Sequence, residues 1–341
     1  MNEKQIREAI LSPEYDFLRT DEHLGNNVLF LGVGGSHAYG LATETSDLDI
    51  RGIAMNTRDE LLSYQDFQDV KDTGTDSIIY SFNKTLSMLS KNNPNVLEIF
   101  GYRPEYRLFV SDVAQRLLDN QKWFLSQLCA ESYTGFIDKQ MRKLSNKSVR
   151  QVSQTEREGY ILRSIRNAMC GFLPRHTQIE GDNLKLYIDA SDHEDFDSEI
   201  FMDINLSHYP LRDWTGLWNE MKSIVNSYNK IGQKAEKPMT RKALAKHQST
   251  IAMLYYIGID ILEKEDVIVY REKEHDLLRS IRNGNFLDDN NQTTQEFFEL
   301  VSELDKRFDY AKKNTSLPET PDYKAIESFR REVNAEIIVE K

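Results

Sequence analysis

Asp47 and Asp49 stand two residues apart in GGSHAYGLATETSDLDIRG, residues 34–52, and Arg51 follows at the same interval. In an extended chain alternate side chains share a side, so Asp47, Asp49 and Arg51 face one way and Leu48 and Ile50 the other, toward a core. Two carboxylates roughly 7 Å apart at their α-carbons repel each other unless something cationic lies between them. A hard divalent ion meets that need. Mg²⁺ takes oxygen ligands and is usually held by one or two carboxylates together with substrate phosphates. The chemistry this points to is in-line displacement at phosphorus, the reaction that paired ions promote by clamping the attacking and leaving oxygens. Arg51 either pairs with one of the acids or reaches a phosphate.

The elements around these residues must place them beside a phosphate. In NVLFLGVGGSHAYGL a strand of buried type runs into a turn at Gly34 and Gly35, and a short helix is expected over about 38–41. A helix start offers N–H groups without intrahelical acceptors and the positive end of a dipole, which favours phosphate oxygens, and Ser36 adds a hydroxyl. A glycine turn alone is common, and an Asp-X-Asp strand alone reads as a solvated outer face. Only together do they specify a phosphate and metal site.

The whole chain sets limits on that reading. It has 341 residues, 39% of them hydrophobic, enough for two domains with cores. Its only cysteines, Cys129 and Cys170, have no paired spacing, which argues against a disulfide framework or a thiolate zinc site and for a reducing compartment. The start, MNEKQIREAI, lacks the apolar stretch of a signal peptide, and no apolar run reaches membrane-spanning length. A cytoplasmic protein is expected, in the host cytoplasm if the chain is viral, with no membrane partner.

A formal charge of −12 argues against general coating of nucleic acid. The charge is unevenly distributed, however. Residues 139–166 carry eight Lys or Arg against two Glu, a net of +6, and residues 180–203 carry nine Asp or Glu against Lys185, a net of −8. Either run is a solvated face or, for the basic one, a functional patch.

Two halves differ in pattern. Residues 1–111 alternate short strand-like runs (NVLFLGVGG, DLDIRGIAM, DSIIYSF) with helical ones, at 3–10 and in NKTLSMLSKNN, where Pro94 ends the helix. Residues 112–341 are mainly helical, with an acidic insertion near 178–205 that reads as a hairpin or loop. VIVYREKEHDLLRSIRNG reads as a short strand and a helix stopped at Gly284. The hexapeptide LRSIRN occurs at 162–167 and 278–283, too short to indicate duplication. The fold class is α+β: an N-terminal domain with a small mixed sheet and helices, then a mainly helical domain.

Gly35-Ser36, Gly40 and Ser46-Asp47-X-Asp49 resemble the signature of the polymerase-β-like nucleotidyltransferase superfamily, in which Gly-Ser binds triphosphate and the two aspartates bind metal. More narrowly, GSHAYGLATETSDLDIRGI resembles the RNA repair pathway polymerase-β branch, described from bacteria and bacteriophages. NNPNVLEIF, KALAKHQSTIAMLYYIGIDIL, YREKEHDLLRSIRNG and LPETPDY resemble further elements of that branch, while 145–235 matches little and reads as an insertion or a diverged helical segment.

The resemblance implies a metal-dependent nucleotidyltransferase, EC 2.7.7 in type, using two Mg²⁺, or Mn²⁺ in its place. It implies nucleotide contacts at Gly35, Ser36, Gly40, Ser46 and Arg51. The superfamily's third carboxylate falls on Asp76, which opens DSIIYSF and shares a strand side with Ile78 and Tyr80; Asp72 and Glu98 are the fallbacks. For Glu98 a helix-capping or core-edge role beside Pro94 is favoured over metal binding. Asp47, Asp49 and Asp76 are thus the expected catalytic and metal-binding set.

The expected acceptor is RNA, with Lys242, Lys246, His247, Arg271 and Arg282 joining the basic segment as a backbone track. Lys246 and His247 fit equally a helix face packed beneath the active site. Two other classes stay open: nucleotidylation of a protein or small molecule, and a non-catalytic nucleotide-binding scaffold.

Overall fold

The computed structural model describes residues 3–43, 46–64, 67–148, 184–190, 198–219, 222 and 240–339. The fold is α+β, as expected. Five strands form the first sheet: β1 (Val28–Val33), β2 (Ile50–Ala54), β3 (Asp69–Asp72), β4 (Ser77–Ser81) and β5 (Arg107–Val110). Their order is β3-β4-β2-β1-β5. β1 runs antiparallel to β2 and β5, β2 parallel to β4, and β3 antiparallel to β4, so the sheet is mixed.

Alternation in sequence becomes layering in space. Val33, Ile50, Ala54 and Ile79 are buried and pack with Ile6 of the helix Glu3–Ala9, with Tyr15 and Leu18 of the following turns, and with Leu48. Short helices are anchored by their caps. Thr57 and Glu60 form a reciprocal capping box, the Ser81 and Ser111 hydroxyls accept N–H bonds from Lys84 and Ala114, and Asn93 caps the turn that Pro94 opens. Each such cap stabilises its helix by ~1 kcal/mol.

The chain divides into two compact units, Met1–Ile137 with Ser249–Asn283 and Glu296–Lys341, and Asp138–Gln248 with Gly284–Gln295. Residues 1–111 fall wholly in the first, which also gathers much of the helical part. The helix Tyr323–Val339 joins it by setting Phe329 edge-on to Phe82 at 5.7 Å and by bonding Asn334 to Asn83 at 3.0 Å. Within the helix Arg241–Lys264, residues 251–262 are buried on every side, the pattern of a helix enclosed in a core rather than lying on one.

In the second unit, Arg241 opens that same helix and closes a loop. Its Nη1 donates to the Asp288 carbonyl and Asn291 Oδ1, and its Nη2 to the carbonyls of Gly284 and Leu287, at 2.6–3.2 Å. The acidic segment contributes a hairpin, β6 (Leu184–Ala190) with β7 (Ser198–Ile204). The first LRSIRN copy, Cys170 and residues 149–166 of the basic segment lie outside the described residues.

Several local expectations shift. The short helix spans Gly35–Ala38, so the glycine turn itself opens it. β3 and β5 add to the strands legible in the sequence. VIVY is not a strand: Val267 and Val269 are buried, but residues 267–269 form no ladder and instead pack on Gly101, where a Cβ would lie 2.6 Å from Val269 Cγ2. Among the described residues, no helix is long and apolar enough to cross a membrane.

Candidate functional site

The antiparallel register of β1 and β2 sets Val33 opposite Ile50, so the turn leaving β1 meets the chain entering β2. The Gly34 N–H donates to the Asp49 carbonyl at 2.8 Å. Asp49's carboxylate then lies over the α-carbon of Gly35: a Cβ built there would overlap Oδ2 and stand 2.9 Å from Cγ. Gly35 has φ +57°, in the region that favours glycine, so both space and backbone require this residue. A Cβ on Gly34 would meet the Tyr102 hydroxyl at 2.7 Å and Arg51 Cγ at 2.9 Å.

The acidic segment is held from below. Leu48 and Ile50 are buried, Asp47 is exposed and Asp49 half-buried, as alternation requires, although β2 itself starts only at Ile50. Tyr15 donates to the Leu48 carbonyl at 3.1 Å, and the Ile50 N–H donates to Ser77 Oγ at 3.2 Å. Burial, Glu14 and the two aspartates push the Tyr15 phenol up to about 12. This phenol therefore senses both carboxylates.

Asp76 departs from expectation. β4 begins at Ser77, and Asp76 precedes it with φ +51° in a turn, exposed, rather than in line with Ile78 and Tyr80. Arg51 accounts for part of this, since its Nη1 donates to the Asp76 carbonyl and its Nη2 lies 3.9 Å from Asp76 Oδ2. Arg51 pairs opposite Ile78 in the parallel register, and the Ile50 N–H bond to Ser77 Oγ ties the starts of the two strands together. The other fallback, Asp72, accepts from the Thr75 N–H at 2.7 Å and the Thr75 hydroxyl at 2.8 Å, closing the β3–β4 turn.

Glu98 caps the C-terminus of the helix Pro94–Leu97, its N–H donating to the carbonyls of Pro94 and Val96, as the capping reading expects, and its side chain does more. It accepts a 2.6 Å hydrogen bond from the Tyr39 hydroxyl. Burial, reinforced by Asp49 and opposed by Tyr39 and Arg51, pushes its carboxyl up to about 7. Tyr102 is buried beside it, its phenol raised by that burial and by Glu98, and its hydroxyl has no hydrogen-bond partner among the described residues. Sequence reasoning weighed Glu98 and missed Tyr39 and Tyr102. Tyr39 lies inside GSHAYG and was legible there; Tyr102 gives no sequence signal.

The remaining predicted residues scatter. Ser36 is half-buried at the helix start. Gly40, with φ +73°, packs on the Tyr270 ring, and His275 Nε2 lies 3.0 Å from its carbonyl, bringing Tyr270 and His275 against the glycine loop. Arg282 is half-buried; burial lowers its pKa while Asp49 and Tyr39 pull it back up, so it lies within electrostatic range of Asp49. The Ser46 hydroxyl accepts from the Thr43 N–H at 2.8 Å. Arg271 is not on a surface track: it is 3% exposed and paired with Asp260. Lys242, Lys246 and His247 belong to the second unit, the lysines exposed and His247 half-buried, its Nδ1 2.7 Å from Gln140 Oε1.

As a metal site the donors fit in part. Asp47 and Asp49 supply hard oxygens on one side of the chain, the Asp49 carboxylate lying against the glycine turn in the space a Cβ at Gly35 would fill. Among the described residues no group of three or more His, Cys, Asp or Glu is gathered to hold a metal. The pair thus suits an ion completed by substrate phosphates rather than an all-protein cage.

Residues 12–170 match the family model described as RNA repair pathway DNA polymerase beta family. Neither a curated protein nor a solved structure shows significant similarity to the chain.

Proposed function

Since residues 12–170 match the RNA repair pathway DNA polymerase beta family, we propose that this chain is a nucleotidyltransferase that moves a nucleoside monophosphate from a nucleoside triphosphate to a hydroxyl of RNA. The acceptor oxygen bonds to the α-phosphorus, the bond from that phosphorus to the β-phosphate bridge breaks, and pyrophosphate departs. The observation that carries this reading is the fixed adjacency of the Gly34-Gly35 turn and the Asp49 carboxylate.

Residues 1–111 are the catalytic part in this reading. The helix start at Gly35 and Ser36 binds the β- and γ-phosphates through N–H groups and a hydroxyl, with Gly40 and Ser46 shaping the loop. Arg51 and Arg282 offset phosphate charge. Asp47 and Asp49 would hold Mg²⁺, or Mn²⁺ in its place, which supplies charge neutralisation at the phosphates and acidifies the acceptor hydroxyl. Asp76 is the third carboxylate and takes the acceptor's proton, which requires it to release Arg51. Much of the acceleration comes from positioning.

The test is incubation of the purified chain with labelled triphosphates and total RNA, alongside protein and small-molecule acceptors. Label in RNA, abolished by Asp47→Ala in a folded protein, is the expected result. Label entering protein or a small molecule alone would reassign the acceptor, and failure to bind any Mg²⁺-triphosphate would leave a scaffold. Retained turnover in Asp47→Ala ends the assignment.

A further inference from the structure

A cavity of about 500 Å³ lies among residues 100–107 and 260–274, within the first compact unit. That volume is ordinary for a small-molecule site. Five Lys or Arg and four Asp or Glu line it, an excess of one positive charge.

The excess can be traced to a trio of two buried residues, Asp260 and Arg271, and the half-exposed Lys264. Asp260 is 3% exposed and both its oxygens are taken: Oδ1 by Lys264 Nζ at 2.8 Å, Oδ2 by Arg271 Nη1. Two cations therefore share one carboxylate. Arg271 lines the cavity, is itself 3% exposed, and has Nε and Nη2 buried with no hydrogen-bond partner among the described residues. The Tyr256 ring stacks on the guanidinium with its centroid 5.8 Å from Arg271 Cζ.

A buried charged donor left without a partner is costly, more so than a neutral one. The Nε–Nη2 edge of a guanidinium presents two parallel N–H bonds, the geometry that matches two oxygens of a carboxylate or phosphate. Asp260 has no oxygen left to meet it, and the local charge is positive by one unit.

We infer that this cavity is a binding site for a small molecule bearing a singly charged oxyanion group, carboxylate or phosphate, seated on the Nε–Nη2 edge of Arg271. The site goes beyond the nucleotidyl-transfer reading and does not rest on it. Arg271 keeps a binding role, but inside the protein rather than on an RNA track.

Calorimetric titration of the full chain with sodium acetate and with sodium phosphate, at constant ionic strength, tests this. The expected result is saturable binding of at least one, which also tells carboxylate from phosphate. Arg271→Lys keeps a cation for Asp260 but lacks the two-pronged edge, and should bind at least ten-fold more weakly. Lys264→Gln, at a half-exposed side chain, removes the excess charge and should weaken binding several-fold, so the inference stays testable if Arg271→Lys does not fold. No binding of either anion to the parent chain up to about 50 mM, an affinity too weak to matter, would show that water satisfies the edge and overturn the inference. Parent affinity in Arg271→Lys, or in Lys264→Gln where Arg271→Lys does not fold, overturns it as well. Phosphate also suits the glycine turn, so the titrations are repeated in Ser36→Ala; a signal lost there and untouched by Arg271→Lys belongs to that turn and counts against the cavity.

Discussion

The Asp49 carboxylate rests on the bare α-carbon of Gly35, in the space that any side chain at 35 would occupy. One residue is thereby required for two reasons, its positive φ and its missing Cβ. The acid that would face a metal is positioned by the turn that would face a phosphate.

Gly35→Ala should therefore damage chemistry more than stability. The left-handed backbone costs an alanine about 1–2 kcal/mol, whereas displacing the carboxylate by an ångström is the kind of error that costs on the order of 100-fold in rate. Pyrophosphate release and thermal unfolding, measured on the same preparation, check this. A folded Gly35→Ala protein with parent turnover would remove the turn from the mechanism.

Asp76 and Glu98 compete for the third acidic role, and two substitutions separate them. Asn tolerates positive φ, so Asp76→Asn should preserve the turn before β4 and change stability by less than about 1 kcal/mol. If Asp76 takes the acceptor's proton, turnover falls by on the order of 100-fold or more. Undiminished turnover in Asp76→Asn, with loss in Glu98→Gln, would transfer the role to Glu98.

Glu98 also predicts a pH dependence of stability. Its ordinary value is 4.5 and burial pushes it up to about 7, so between those values the folded chain binds a proton that the unfolded chain has released. Stability contributed by the protonated form is complete below about 4.5 and declines as pH rises toward 7. The loss from this group is on the order of 3 kcal/mol. In denaturant unfolding, Glu98→Gln should flatten that decline; an unchanged slope would mean that Glu98 ionises freely in the folded protein.

In the second unit, Arg241→Lys should loosen the loop 284–291. Lysine cannot span the four acceptors that the guanidinium bonds. At about 1 kcal/mol per lost bond, partly recovered by water at an exposed site, local stability should fall by roughly 1–3 kcal/mol. Amide exchange at residues 284–291 reads it directly; protection equal to the parent would show the bonds to be dispensable.

The sequence by itself determined the local devices. Strand period put Leu48 and Ile50 in the core and left Asp47 and Asp49 on the other side; glycine marked the turn; and the motif order sufficed to indicate the family. Pro94 marked a boundary of the other kind: the helix Phe82–Leu89 ends before it, and Pro94 opens the next one. These depend on residues a few positions apart, where the backbone's own geometry dictates the outcome.

Only the tertiary structure decided what distant residues do for one another. Whether Arg271 faces solvent or Asp260, whether the side chain of the helix cap Glu98 stays in solvent or meets Tyr39, and whether Asp76 lies in a strand or is held in a turn by Arg51 all depend on which surfaces close over them. A charge's role is set by the partners and the dielectric that folding supplies, and neither is encoded in the spacing of its neighbours along the chain.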